Sequence, residues 1–212
     1  MIIVFAKAPV AGQAKTRLIP RLGAWRAARL HARLIRETIQ TALAARCGRV
    51  ELHGTRPHSI FRNLKVRFRR QRGHDLGERM YRALAQARGP AIVIGTDCPA
   101  LTPADLQRAA RWLRGGYDAV IAPAEDGGYA LIGFRRPSWK FFEGIEWGGP
   151  GVYAETAKKL KGCRWRALRR VWDVDRPEDL ERLRALRLAS RSRRRVLQSP
   201  CSPARSGGLG RT

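Results

Sequence analysis

Acidic residues are scarce in this sequence. Asp and Glu number 17 against 43 Lys and Arg, a formal net charge of +26 over 212 residues. That imbalance excludes an acidic, self-repelling solvating chain and makes non-specific attraction of polyanions at low salt an expected property. It does not by itself define a nucleic-acid-binding protein. The basic residues are mostly Arg, spread along the expected helices and strands instead of forming one stripe, and a compositional bias toward Arg gives the same excess. No RNP-like, helix-turn-helix or zinc-finger pattern accompanies them.

Cysteine is sparse as well. Cys47, Cys98, Cys163 and Cys201 lie far apart with no C-x-x-C, which excludes a zinc ribbon and a disulfide framework. His31, His53, His58 and His74 lack metal-ligand spacing; His31 reads as a helix-surface residue, His53 and His58 as strand-end or loop residues. No apolar run reaches the length of a membrane span. The segment from Met1 to Ala6 is too short for a signal h-region and has no basic lead, so a cytoplasmic protein is expected. Internal repeats, a Walker A loop and G-x-G-x-x-G are all missing.

What is present is a regular alternation of strand and helix patterns. Ile92-Val93-Ile94 is a branched apolar run of the kind buried on both faces of a parallel sheet. It ends in Gly95-Thr96-Asp97, and Pro99 forces the chain out of the sheet. Asp97 therefore sits at the carboxyl tip of a buried strand, where open α/β sheets place ligands. It either caps the next turn or offers a carboxylate to a hard cation on phosphate oxygens. Ile2 to Ala6 reads as the first strand, and the loop after it carries Pro9, Gly12, Lys15 and Arg17. That loop is either a basic surface loop or a phosphate cradle, with glycine for backbone approach and two cations.

The remaining elements follow in order. Residues 24–45 read as a helix with Trp25, Ala28, Leu34, Ile35, Thr38, Ile39, Ala42 and Leu43 as its core face. Strands are expected at 49–55 and 64–69, the latter with one basic, solvated face. Asp75 is a good N-cap for the next helix, with Glu78 as capping-box partner, and Gly73 and Gly77 leave room for a ligand. Thr102 and Pro103 start another helix, which Gly115-Gly116 ends. Strands at 118–123 and 129–134 flank Asp126-Gly127-Gly128, which is either a hairpin turn or the border of a substrate site. The loop at Trp147-Gly148-Gly149 opens a short helix, 165–171 reads as a strand, and Asp175 reads as the N-cap of a last helix. Residues 189–212, which include Arg191, Arg193, Arg194, Arg195, Arg205 and Arg211, have almost no apolar periodicity and read as a disordered basic tail behind a domain spanning 1–188. The alternation implies an α/β sandwich of three layers around a mostly parallel, Rossmann-like sheet.

Assembled in this order, the motifs resemble a family of small bacterial glycosyltransferase-like proteins with the GT-A, nucleotide-diphospho-sugar transferase fold, some labelled arsenosugar-biosynthesis glycosyltransferases. The resemblance rests on Phe5-Ala6-Lys7-Ala8-Pro9 with Gly12 and Lys15-Thr16-Arg17-Leu18, on Asp75-Leu76-Gly77-Glu78-Arg79-Met80, on Gly95-Thr96-Asp97-Cys98-Pro99, on Asp126-Gly127-Gly128-Tyr129, and on Asp173-Val174-Asp175 with Pro177-Glu178-Asp179-Leu180. It departs at Trp147-Gly148-Gly149, where a Trp-Ser/Thr sequence is usual. More distantly it extends to nucleotidyltransferases of molybdenum-cofactor and phospholactate metabolism.

The resemblance implies a nucleotide lying over the sheet and a divalent cation, Mg²⁺ or Mn²⁺, on its phosphates. Asp97 and Lys15 become the candidate catalytic residues, and Asp97 with Asp175 the candidate metal ligands. Ala6, Lys7, Gly12, Lys15, Arg17, Asp75, Gly77, Gly95 and Thr96 are the candidate nucleotide and phosphate contacts; Asp126, Gly127, Gly128 and Trp147 are the candidate substrate contacts. The implied reaction is glycosyl transfer from a nucleotide sugar to a small-molecule acceptor, with nucleotidyl transfer from a nucleoside triphosphate as the alternative. Glycosyl transfer is preferred because the first loop lacks the paired-glycine, Arg-Met-Gly pattern of the resembling nucleotidyltransferases, and because the Asp126 turn and Trp147 offer carboxylate, open backbone and aromatic faces to a sugar.

Overall fold

The computed structural model describes residues 1–198, so 199–212 of the expected tail lie outside the described residues. The strands are β1 (Ile2–Ala6), β2 (Val50–Gly54), β3 (Arg67–Arg70), β4 (Ala91–Ile94), β5 (Ala119–Pro123), β6 (Tyr129–Phe134) and β7 (Trp165–Ala167). The helices are α1 (Ile19–Leu22), α2 (Ala24–Ala44), α3 (Ser59–Arg62), α4 (Leu76–Ala85), α5 (Pro103–Arg114), α6 (Val152–Lys159) and α7 (Asp179–Gln198). All seven strands join one sheet in the order β3-β2-β1-β4-β6-β5-β7. Only β6 runs antiparallel to its neighbours, β4 and β5. The other pairs, β1/β2, β1/β4, β2/β3 and β5/β7, are parallel. The carboxyl ends of β1, β2, β3, β4, β5 and β7 therefore open along one edge, and the loops there carry Lys15 and Arg17, Asp75, Asp97, Asp126 and the 173–175 segment.

Two apolar layers cover the sheet, as a parallel sheet requires. Alternate residues of β1 take opposite faces: Ile2, Val4 and Ala6 join Ile35 and Ile39 of α2 and Leu106 and Leu113 of α5. Ile3 and Phe5 join Met80 and Leu84 of α4, with Phe134, Phe141 and Phe142. Each fully buried branched side chain of this kind contributes about 1.5–3 kcal/mol. The expected three-layer architecture is thus the observed one.

Local departures have physical reasons. Trp25 is 78% and Leu43 46% exposed, because α2 buries a narrower stripe than its apolar content suggests; Ala27, Ala28, Leu34, Ile35, Ile39 and Ala42 carry the contact. The third strand starts at Arg67, since Leu64 and Val66 turn in against the core. The strand expected at 165–171 stops at Ala167 and touches the sheet again only through a bridge between Ala124 and Val171. Asp175 is not a helix cap: Asp179 instead accepts from the backbone N–H groups of Asp175 (3.0 Å) and Arg176 (2.7 Å), and α7 begins there. That helix runs to Gln198, so the chain keeps regular structure past the boundary expected at 188.

The start of α5 is the best-anchored terminus. Asp105 Oδ2 accepts from Thr102 N (3.0 Å), Thr102 Oγ1 (2.7 Å) and Arg169 Nη2 (2.8 Å), closing a capping box and tying the segment after β7 to it. Asp105→Ala is expected to cost about 2–3 kcal/mol, combining a lost cap with a lost charged hydrogen bond. Urea unfolding with an unchanged m-value is the check.

Candidate active site

Lys15 lies in the loop after β1, in the left-handed region at φ 52° and ψ 46°. A non-glycine residue pays about 1–2 kcal/mol for that conformation, so its surroundings must hold it there. They do so through its charge. The Lys15 side chain is only 4% exposed, and its Nζ stands 2.7 Å from Asp97 Oδ1 and donates to the carbonyl of Val174. Three separate pieces of the carboxyl edge thus meet at one ammonium. The backbone repeats the link, since Val174 N–H donates to the Asp97 carbonyl at 2.8 Å.

Asp97 has two unlike oxygens. Oδ1 is buried against Lys15, whereas the carboxylate as a whole is 47% exposed, so the other oxygen faces outward. Beside the pair lies His31 of α2, which sequence periodicity placed on the surface. It is 4% exposed; Nε2 donates to the Lys7 carbonyl at 3.0 Å, and Nδ1 faces Asp97 Oδ1 at 3.7 Å with no hydrogen-bond partner. Burial holds His31 below the usual histidine range, with Asp97 pulling it up and Lys15 down, so the ring stays neutral at neutral pH.

The acidic segment after β7 closes the edge. Arg17 donates to Asp175, so that carboxylate, expected to ligate metal, is engaged by the expected phosphate cation. Asp173 is pushed up to about 6, first by burial, then by Asp126 and by Asp175. Asp97, Asp173 and Asp126 all bear on the Cys98 thiol, which burial and these three charges push up. Among the described residues, no group of three or more His, Cys, Asp or Glu side chains is placed to hold a metal ion unaided. A Mg²⁺ carried on phosphates takes only one or two carboxylates and fills its shell with phosphate and water oxygens. The outward oxygen of Asp97 and the crowded Asp173 fit that donor set.

The glycines divide into two groups. A Cβ on Gly12 or Gly95 would meet nothing within 4 Å, so a ligand can approach the backbone at both. Gly77 and Gly127 are instead required by the protein itself. A Cβ on Gly77 would fall 2.4 Å from Trp147, and one on Gly127 2.0 Å from the Pro150 carbonyl oxygen. The Trp147 indole fills the space over the start of α4 and meets Tyr129 edge-on, ring centroids 6.4 Å apart. Gly128 N–H donates to Asp126 Oδ1 at 2.9 Å, so the acidic turn is closed by its own side chain. Asp75 caps α4 by accepting from Glu78 N at 2.7 Å, while Glu78 reaches back to His74 N. Thr96 is buried and Ala6 accepts from Thr55 N, while Lys7 is exposed at the same edge.

A doubly covered, mostly parallel sheet with a basic first loop and carboxylates at its carboxyl edge defines a nucleotide-diphospho-sugar transferase type of α/β protein. The chain belongs to the bacterial family DUF2064, described as uncharacterized, whose profile matches residues 34–149. No curated protein matches the sequence. Its fold is similar to that of a Desulfovibrio desulfuricans protein described as a candidate nucleotide-diphospho-sugar transferase, at 32% identity and TM-score 0.76, covering 82% of this chain and 81% of that one. It is also similar to CMP:2-keto-3-deoxy-manno-octonic acid synthetase complexed with CTP, at 14% identity, TM-score 0.62 and coverage of 90% and 98%. A nucleotidyl transferase from Methanothermobacter matches at 18% identity, TM-score 0.62 and coverage of 90% and 99%. The last two likenesses concern the fold alone.

Two tests follow from this geometry. Because Asp173 holds its proton more tightly when folded, its charge opposes folding above about pH 6, and stability falls as pH rises from about 4 to about 6. Asp173→Asn should raise the melting temperature at neutral pH and leave it unchanged below about pH 4. Gly77→Ala should cost about 1–3 kcal/mol by overpacking, and Trp147→Ala in the same chain should recover much of it, as read by a double-mutant cycle.

Proposed function

We propose that the protein is a transferase that takes a glycosyl group from a nucleotide sugar and passes it to a small-molecule acceptor, using Mg²⁺ or Mn²⁺. The observation that carries this reading is the Lys15–Asp97 pair at the carboxyl edge, in which the lysine is buried and the aspartate half exposed. Asp97 pairs with Lys15 and Asp175 with Arg17 there, and Asp126 and Asp173 crowd each other beside them. A diphosphate would have to take Lys15 and Arg17 away from Asp97 and Asp175 unless a cation came with it, so the carboxylates and the nucleotide need the same ion.

In this reading Asp97, through its outward oxygen, and Asp173 or Asp175 hold the cation, which when bound draws off the charge that builds on the departing nucleoside diphosphate. Lys15 and Arg17 bind phosphate oxygens by exchanging their present partners, Asp97 and Asp175, for them. Gly12 and Gly95 let the backbone approach the nucleotide. The acceptor hydroxyl oxygen bonds to the anomeric carbon as the bond from that carbon to the diphosphate oxygen breaks; the nucleoside diphosphate leaves with the electron pair and the hydroxyl proton passes to solvent. Trp147, packed on Gly77 and Tyr129, gives the sugar or acceptor an aromatic wall. Nucleotidyl transfer, with attack on the α-phosphate and release of pyrophosphate, uses the same residues; the CTP-bound fold relative is what favours it.

Lys15→Ala is expected to weaken nucleoside diphosphate binding about tenfold and to leave the bare nucleoside nearly unaffected. Asp97→Asn is expected to abolish turnover and the metal dependence of nucleotide binding. Product analysis with Mg²⁺ or Mn²⁺ present separates the reactions. Nucleoside diphosphate released from a nucleotide sugar supports glycosyl transfer; pyrophosphate from a nucleoside triphosphate, with nucleotide sugars intact, overturns it.

A further inference from the structure

A groove of about 1030 Å³ runs between α2 and α7. Arg26, Arg29, Arg33 and Arg36 of α2 and Arg184 and Arg187 of α7 line it, and no acidic residue does. Glu37 stands behind them and takes two, accepting from Arg33 and Arg187, each at 2.9 Å. Arg26, Arg29, Arg36 and Arg184 have no ion pair among the described residues. Leu22, Leu30 and Leu180 line the same groove over the buried Leu183, and Trp25, outside the lining but next to Arg26 in the chain, is 78% exposed. The arginines that look evenly scattered in sequence are thus gathered on one face by helical spacing and the packing of α7 on α2. Beyond the groove, α7 continues through a sequence that carries Arg191, Arg193, Arg194 and Arg195 and no acid.

We propose that this face binds the surface of an anionic phospholipid bilayer. Charge selects the occupant. Residues 199–212 of this chain carry Arg205 and Arg211 and no acid, and the same face of a second copy would present the same arginines, so neither complements the groove. Lipid phosphates do, and each Arg near an anionic leaflet adds to attachment. The apolar part selects bilayer over nucleic acid. A leucine floor has no counterpart in a phosphate backbone, whereas leucine and tryptophan beside a basic rim match the boundary between headgroups and acyl chains. The helices lie along the surface, and none among the described residues is long and apolar enough to cross it.

The test is flotation of the full chain with vesicles of equal parts phosphatidylglycerol and phosphatidylcholine, and with phosphatidylcholine alone. Attachment to the first only, weakening with salt, is expected. Arg26→Glu/Arg29→Glu/Arg36→Glu should lose on the order of a hundredfold in affinity. The matched reversal Arg67→Glu/Arg70→Glu/Arg88→Glu, around the β3 edge, should lose far less. Trp25→Ser, which keeps the charge, should weaken vesicle binding while leaving binding to polyuridylate unchanged. Melting curves check that each variant is folded, and the Arg→Lys triple at positions 26, 29 and 36 should retain attachment. Equal losses in the two reversals would reduce the effect to net charge and overturn the proposal. So would a Trp25→Ser chain that binds vesicles as well as the parent, or polyuridylate that displaces the chain from vesicles through the same arginines.

Discussion

Burying the Lys15 ammonium is the constraint on which the rest of the carboxyl edge depends. A desolvated lysine is costly unless its charge is met closely and its protons are bonded. Asp97 and the Val174 carbonyl do both. These partners come from the loops after β4 and β7, on either side of the β6-β5 pair in the sheet. The chain must therefore return from the far side of the sheet to the centre, and it does so along the segment 173–175. The strained backbone at Lys15 belongs to the same constraint. Its left-handed turn brings the side chain inward, and the ion pair holds the turn in place.

The second organising fact is the uneven distribution of charge. A chain of net charge +26 has few acids to spend. Several of them gather at the carboxyl edge, where burial and mutual repulsion lift Asp173 to about 6. Elsewhere acids serve the structure one at a time: Glu51, 1% exposed, is held between Arg49, Arg69 and His53, and Asp105 between Thr102 and Arg169. Crowding like charges costs stability, and where no packing gain offsets it the natural account is a ligand that brings the opposite charge. The arginines of α2 and α7 present the same argument with the sign reversed.

Much of this was legible in the sequence, because strand and helix periods, N-caps and the Gly-Thr-Asp strand tip are local signals. Asp75, Thr102, Gly115 and the β5–β6 hairpin all lie where nearest-neighbour chemistry puts them. What periodicity could not show was long-range. His31 is spaced like a surface residue, and only the packing of α2 against the β1 loop turns it toward Lys7 and Asp97. Gly77 reads as an opening for a ligand until Trp147, seventy residues on, is seen to occupy it. Asp175 has the sequence of a helix cap, but Asp179 holds the turn and Arg17 takes Asp175, a choice settled by tertiary charge. Lys15 and Asp97 read in the sequence as separate candidates, one for phosphate and one for a cation, and only the fold joins them in one ion pair.

The contacts of Lys15 and Arg17 also say how a phosphate would have to bind. Both cations already have protein partners: Lys15 has Asp97 and the Val174 carbonyl, and Arg17 has Asp175. A phosphate arriving here exchanges one charge-assisted bond for another. Each such bond is worth about 1.5–3 kcal/mol, but an exchange keeps only the difference. It also leaves Asp97 and Asp175 short of a counter-charge beside Asp173 and Asp126. In the proposed transferase the phosphate groups thus gain less from the two cations than two free charged bonds would give, and a divalent ion arriving with them would restore neutrality to both sets of oxygens at once. Selectivity for a nucleotide would then depend on what the open backbone at Gly12 and Gly95 can contact, where a Cβ would meet nothing within 4 Å. In the proposed transferase, affinity and metal dependence would be two consequences of one arrangement, carboxylates and cations of the carboxyl edge already engaged with each other.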